Sequence, residues 1–143
     1  MNEKNAYHIA VIAGRDQSNC YDKVMPAIIK LIDVLHSEDE GKNGFVFLHN
    51  GVFSGNLKHV QATINVIGPS LTTRGFYVGL KKLPMDVLGH GRVAEQRWLD
   101  STLEKKPEAF LLLDDGQYDV YRYSDRVAKE NNIYVHRVDI TQR

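Results

Sequence analysis

Along this chain, short unbroken apolar runs alternate with longer stretches in which apolar residues return every three or four positions. The first run, Tyr7 to Ala13, is rich in β-branched residues and stops at Gly14, the pattern of a central parallel strand covered on both faces. Val24, Ile28, Leu31 and Leu35 then fall at helical spacing and predict a helix over about Tyr21 to His36, with Pro26 tolerated in its first turn. Phe45 to Leu48 reads as a second strand. A second helix follows, with Asn56 as its cap, Leu57, Val60, Ile64 and Ile67 on one face, and Gly68-Pro69 as its end. Gly75 to Gly79 reads as a short third strand and Lys81 to His90 as an irregular connection.

A third helix is expected over about Gly91 to Lys106, with Ala94, Trp98 and Leu103 inward and Pro107 after its end. Ala109 to Leu113 is a fourth, fully buried strand that stops at Asp114-Asp115-Gly116. A fourth helix runs from about Gln117 to Glu130 with Val120, Val127 and Ala128 inward, and Asn131-Asn132 suit a left-handed C-terminal turn. Ile133 to Val138 closes the series as a fifth strand. Strands alternating with helices call for right-handed crossovers, hence an α/β fold of Rossmann type in three layers. The expected parallel sheet has five strands in the order 3-2-1-4-5, whose direction reverses between strands one and four. Ligands of open α/β sheets bind in the crevice at such a reversal, beyond the carboxyl ends of the strands.

Composition narrows the field. The 143 residues fit one domain spanning 1–143, and 43% hydrophobic with 25% charged residues match an ordinary globular protein. Eighteen basic residues balance eighteen acidic ones, so no global positive field would hold duplex nucleic acid. A local basic set, Arg74, Lys81, Lys82, Arg92, Arg97, Lys105 and Lys106, reads first as a solvated surface. The polar stretch Met1 to Asn5 lacks the apolar core of a secretory signal, and the apolar runs are too short to span a bilayer. With the single Cys20, this places the expected location in the cytoplasm, whether of a cell or of a virus growing in one. Six scattered histidines show no ligand spacing, so neither a metal site nor a cofactor is expected.

The candidate chemistry gathers at the strand ends. Gly14 permits close backbone approach, Arg15 can grip an anion, and Asp16 can accept from ribose hydroxyls; the plainer reading is two surface residues beside a structural glycine. After the second strand, His49, Asn50, Gly51, Ser54 and Gly55 precede a helix start, where amide groups collect an anion. A lone histidine such as His49 is more often packed and satisfied than a ligand contact. Asp114, Asp115 and Gly116 open the turn after strand four. Paired carboxylates there suit sugar hydroxyls better than phosphate, and with Asp119 they could supply acid/base groups, against the alternative of a capped, solvated turn. Arg92 and Arg97 can close over a phosphate, although ion pairs with Glu95 and Asp100 explain them equally well.

Taken together, Ala13-Gly14-Arg15-Asp16, the loop after strand two, the stretch Gly91 to Leu103 and the turn before helix four resemble the YspA-like branch of the SLOG superfamily across nearly the whole chain. That branch opens with Gly-Arg-Asp, intact here. Its His-Gly-Gly loop reads His49-Asn50-Gly51 with Gly55 displaced, its Arg-Asn pair reads Arg97-Trp98, and its glycine-rich turn after strand four reads Asp114-Asp115-Gly116. The resemblance implies a nucleotide or ADP-ribose-like ligand and a homodimer associated through helix faces. One branch of the superfamily hydrolyses the N-glycosidic bond of nucleoside monophosphates, but its Pro-Gly-Gly-x-Gly-Thr turn and following glutamate have no counterpart here. Three expectations stand: a nucleotide-derivative binding protein acting as a sensor or sequestering agent, an N-glycosidase using Asp114, Asp115 or Asp119, and a partner-binding protein whose site has decayed.

Overall fold

The structure is a computed structural model and describes residues 5–13, 21–38, 41–50, 57–83, 94–114 and 120–139. Its strands are β1 (Tyr7–Ala13), β2 (Gly44–His49), β3 (Tyr77–Lys82), β4 (Ala109–Asp114) and β5 (Tyr134–Asp139). Its helices are α1 (Tyr21–Glu38), α2 (Leu57–Thr73), α3 (Ala94–Thr102), which passes into a 3-10 turn at Leu103–Lys105, and α4 (Val120–Glu130). The five strands form one sheet in the order β3-β2-β1-β4-β5, and every neighbouring pair is parallel. The chain is an α/β protein with the expected Rossmann-like topology.

Alternation along each strand sends side chains to opposite faces and so builds a core on each. Ile9, Val11, Phe45, Phe47, Leu111 and Leu113 meet Val24, Ile28 and Leu31 of α1 and Leu57, Val60 and Ile64 of α2. On the opposite face Ala10, Ile12, Phe110 and Leu112 meet Trp98 and Leu99 of α3 and Val127 and Ala128 of α4. β1, β2 and β4 are buried almost throughout, as their unbroken apolar runs require, whereas β3 and β5 at the sheet margins are half-buried.

Several boundaries depart from expectation. α2 does not end at Gly68-Pro69 but continues to Thr73, because Leu71 in its last turn is buried in the core, and that burial outweighs the hydrogen bond that Pro69 cannot donate. Its true end is a Schellman turn: the Phe76 N–H reaches the Leu71 carbonyl at 2.9 Å, the Gly75 N–H reaches Thr72 at 3.0 Å, and Gly75 takes φ 92°. The segment read as the third strand, Gly75 to Gly79, is therefore partly helix cap. β3 starts at Tyr77 and absorbs Lys81 and Lys82, which had been assigned to the connection. Pro26 lies in the second turn of α1 rather than the first, on its exposed side. The third helix stops being α-helical at Thr102, and Lys106 closes it in the left-handed region at φ 51°. The left-handed turn at the end of α4 is present, with Asn132 at φ 55° and the Ile133 N–H on the Ala128 carbonyl at 2.9 Å.

Candidate functional site

Because all five strands are parallel, their carboxyl ends share one edge, and the order reverses there between β1 and β4. Ala13, His49, Lys82, Asp114 and Asp139 are the last strand residues along it. Register fixes the pairs: Ala13 lies opposite Leu113 with Asp114 one residue beyond, His49 lies opposite Lys82, and Asp114 lies opposite Asp139.

Among the described residues Asp114 is the acidic residue at the reversal, and its position is not that of the solvated turn which stood as the alternative to a functional role. It is the last residue of β4, 6% exposed, and by strand alternation shares its face with Phe110 and Leu112. A carboxylate so enclosed needs a cation, and β5 supplies one. Arg137 donates from Nε to Asp114 Oδ2 at 2.6 Å, with Nη2 at 2.5 Å from the same oxygen. A carboxylate held by a guanidinium is built to accept hydrogen bonds rather than to deliver a proton.

His49 is also enclosed, at 4% exposure, at the end of β2. Burial lowers its pKa from the ordinary 6.5, and the neighbouring positive charge of Lys82 lowers it further, so at neutral pH the ring is an uncharged donor or acceptor. Asn50 beside it is half-buried. The His49 carbonyl accepts the Leu83 N–H at 2.8 Å, and the Leu83 carbonyl accepts Trp98 Nε1–H at 2.5 Å. Trp98 is therefore core, as expected, and it also ties α3 to the carboxyl end of β3.

Arg97 is exposed on α3. One turn along, Asp100 accepts the Tyr123 hydroxyl of α4 at 2.5 Å, and Arg126 lies 5.3 Å over the Tyr123 ring. Tyr123 thus joins two helices. The remaining expected site residues, Gly14, Arg15, Asp16, Gly51, Ser54, Gly55, Arg92, Asp115, Gly116 and Asp119, together with Cys20, lie outside the described residues. Of the expected set, the structure brings His49, Asn50 and Asp114 to the carboxyl edge.

One residue at this edge was not singled out from the sequence, Arg137 as the partner of Asp114; Lys82, read there as one of a solvated basic set, is exposed at the end of β3 and lies in register with His49. A signal for Arg137 exists. Once strands four and five are neighbours, opposite charges near their carboxyl ends on one face can meet. Among the described residues there is no group of three or more His, Cys, Asp or Glu placed to hold a metal, and no helix long and apolar enough to cross a membrane. Comparison of the chain with protein families, with curated proteins and with solved structures gives no match.

Proposed function

We propose that this chain binds a nucleotide or nucleotide-derived small molecule, of the nucleoside monophosphate or ADP-ribose kind, at the carboxyl edge of its sheet, and works as a sensor or sequestering protein. The observation that carries the reading is the strand order, whose reversal between β1 and β4 creates the crevice in which open α/β sheets take ligands. The SLOG-like Gly14-Arg15-Asp16 motif follows β1 directly in sequence and supplies the nucleotide chemistry of the reading. In it, Arg15 and the Gly51 to Gly55 loop meet phosphate, and Asp16 or Asp115 accepts from ribose. Asp114 adds an acceptor at the same edge. Its pairing with Arg137 supports binding over glycosidic hydrolysis. A homodimer through helix faces belongs to the same reading and rests on the resemblance alone.

A thermal-shift screen against nucleoside monophosphates, NAD, ADP-ribose and cyclic nucleotides tests it, repeated on Arg15→Ala. A ligand at a hundred times its Kd stabilises the fold by about 2.7 kcal/mol, a readable shift for a domain of this size. A hit lost in Arg15→Ala is the expected result. No shift from any compound overturns the reading, and release of free base from a hit would move it to an N-glycosidase.

A further inference from the structure

We infer that Lys82 at the end of β3 and Lys58 at the start of α2 form a phosphate subsite flanking the candidate site, which takes a second phosphate and so selects ligands carrying a pyrophosphate over monophosphates. The inference rests on the proposed nucleotide-binding reading and extends it to a ligand class.

The distribution of charge motivates it. From Gly41 to Met85, the stretch that forms β2, α2 and β3 and hence one whole end of the sheet, the chain has no aspartate or glutamate, although it has eighteen in all. Of its eighteen basic residues, Lys42, Lys58, Arg74, Lys81 and Lys82 fall in this stretch unopposed, while the remaining thirteen face all eighteen acidic ones over the rest of the chain. Part of this charge is engaged at the amino edge, where Lys42 pairs with Glu108 and Arg74 lies over the Phe76 ring. Lys58 and Lys82 are different: both are exposed, and among the described residues neither makes a hydrogen bond or an ion pair.

Both lie on one face of the carboxyl edge. Val78 and Leu80 pack into the core beneath α1 and α2, and strand alternation carries Lys82 to that side; His49 follows Phe45 and Phe47 there in the same way and lies in register with Lys82. The Lys82 charge is close enough to help lower the His49 pKa. α2 runs back from this edge, with Leu57 buried in the same core and Lys58 beside it. Helix starts favour acids, yet the first turn of α2 has none and carries Lys58 and His59 instead. Repulsion among these cations costs stability, and an anion between them offsets it. The Gly51 to Gly55 loop, which the binding reading gives to the first phosphate, joins His49-Asn50 to α2 in sequence. One lysine thus stands near each end of that loop, where a second phosphate adjoins the first.

The test is isothermal titration of the four ribonucleoside monophosphates, each beside its diphosphate, with ADP-ribose and inorganic pyrophosphate, into the full chain and into Lys82→Gln, Lys58→Gln and, as a control at the amino edge, Lys105→Gln. The wild type is expected to bind the diphosphate of its preferred base about tenfold more tightly than the monophosphate, the combined effect of two exposed ion pairs. ADP-ribose, with the same pyrophosphate, should follow the diphosphates. Lys82→Gln and Lys58→Gln should each weaken diphosphate binding about threefold and leave the monophosphate unchanged, and Lys105→Gln should change neither. Proton NMR of the His49 ring gives a second readout: pyrophosphate should raise its pKa in the wild type by offsetting the charge of Lys82, and by much less in Lys82→Gln. Monophosphates and diphosphates bound equally, or weakened alike by the lysine substitutions, would overturn the inference while the binding reading stands. If no nucleotide or ADP-ribose binds but pyrophosphate moves His49 through Lys82, the nucleotide reading falls and the phosphate subsite stands as one for the inorganic anion. Absence of binding by every compound overturns both the inference and the reading beneath it.

Discussion

Glu108 grips His8 twice: its backbone N–H donates to the His8 carbonyl at 2.9 Å, and its side-chain Oε2 accepts the His8 N–H at 2.5 Å. This clasp joins the start of β4 to the start of β1 at the amino edge, opposite the candidate site. Lys42, just before β2, pairs with Oε1 of the same carboxylate and lies 5.4 Å over the Tyr7 ring, and the Tyr134 N–H of β5 reaches the Glu108 carbonyl at 3.3 Å.

Removing the side chain in Glu108→Ala leaves a half-buried strand N–H and a lysine without their acceptor, so a loss of about 1–2 kcal/mol is expected in urea unfolding. Lys42→Met should cost less, about 0.5 kcal/mol, because both side chains of the ion pair are about 30% exposed and water screens them. Equal losses from the two variants would mean that the ion pair, and not the backbone acceptor, holds the amino edge.

His49 makes stability depend on pH in a definite direction. Burial first, and the charge of Lys82 second, lower its pKa below 6.5 in the folded chain, so on acidification the unfolded chain takes up this proton earlier. Stability is therefore full above about pH 7.5 and declines as pH falls through the histidine range, until folded His49 is itself protonated. His136 acts in the same sense, with burial the larger cause and Lys30 the smaller. Unfolding free energies at about pH 7.5 and about pH 5.5, compared with those of His49→Gln, measure the effect. A slope unchanged in the variant would sink it.

How much of this was legible in the sequence depends on how local its cause is. β1, β2 and β4 were readable to within a residue because burial on both faces leaves unbroken apolar runs. The marginal strands carry a weaker signal, and β3 was displaced because Gly75 looked like part of it, while its left-handed φ in fact serves the end of α2. Asp114 at the end of an apolar run resembles a turn residue. Only the packing of β5 against β4, which brings Arg137 from 23 positions away, shows it to be an enclosed strand residue. The topology, and with it the edge where a site belongs, followed from the order of elements.

Gly75 permits a clean backbone test. A Cβ added there would meet nothing within 4 Å, so Gly75→Ala changes only the ease of reaching φ 92°. A loss of about 1 kcal/mol in urea unfolding is expected, with no change in the fold. No loss at all would mean that the Schellman turn relaxes to another cap.

Pro69 offers the opposite sign. It sits in the interior of α2 on the exposed side, where it has no N–H for the Asn65 carbonyl one turn back and its ring crowds that carbonyl. Around it the helix is held by local and tertiary contacts: Thr73 Oγ1 donates to the Pro69 carbonyl at 2.9 Å, and Leu71 and Phe76 pack into the core beyond it. Pro69→Ala restores the missing donor and relieves the crowding, a gain of up to about 3 kcal/mol in a helix interior. Against this, losing the proline frees the unfolded chain, which takes back up to about 1 kcal/mol. The net expectation is a stabilisation of about 1–2 kcal/mol in urea unfolding, with slower amide exchange from Asn65 to Thr73. If Pro69→Ala were neutral or destabilising, the helix would have to be already broken at this point, and the continuation of α2 to Thr73 would be wrong.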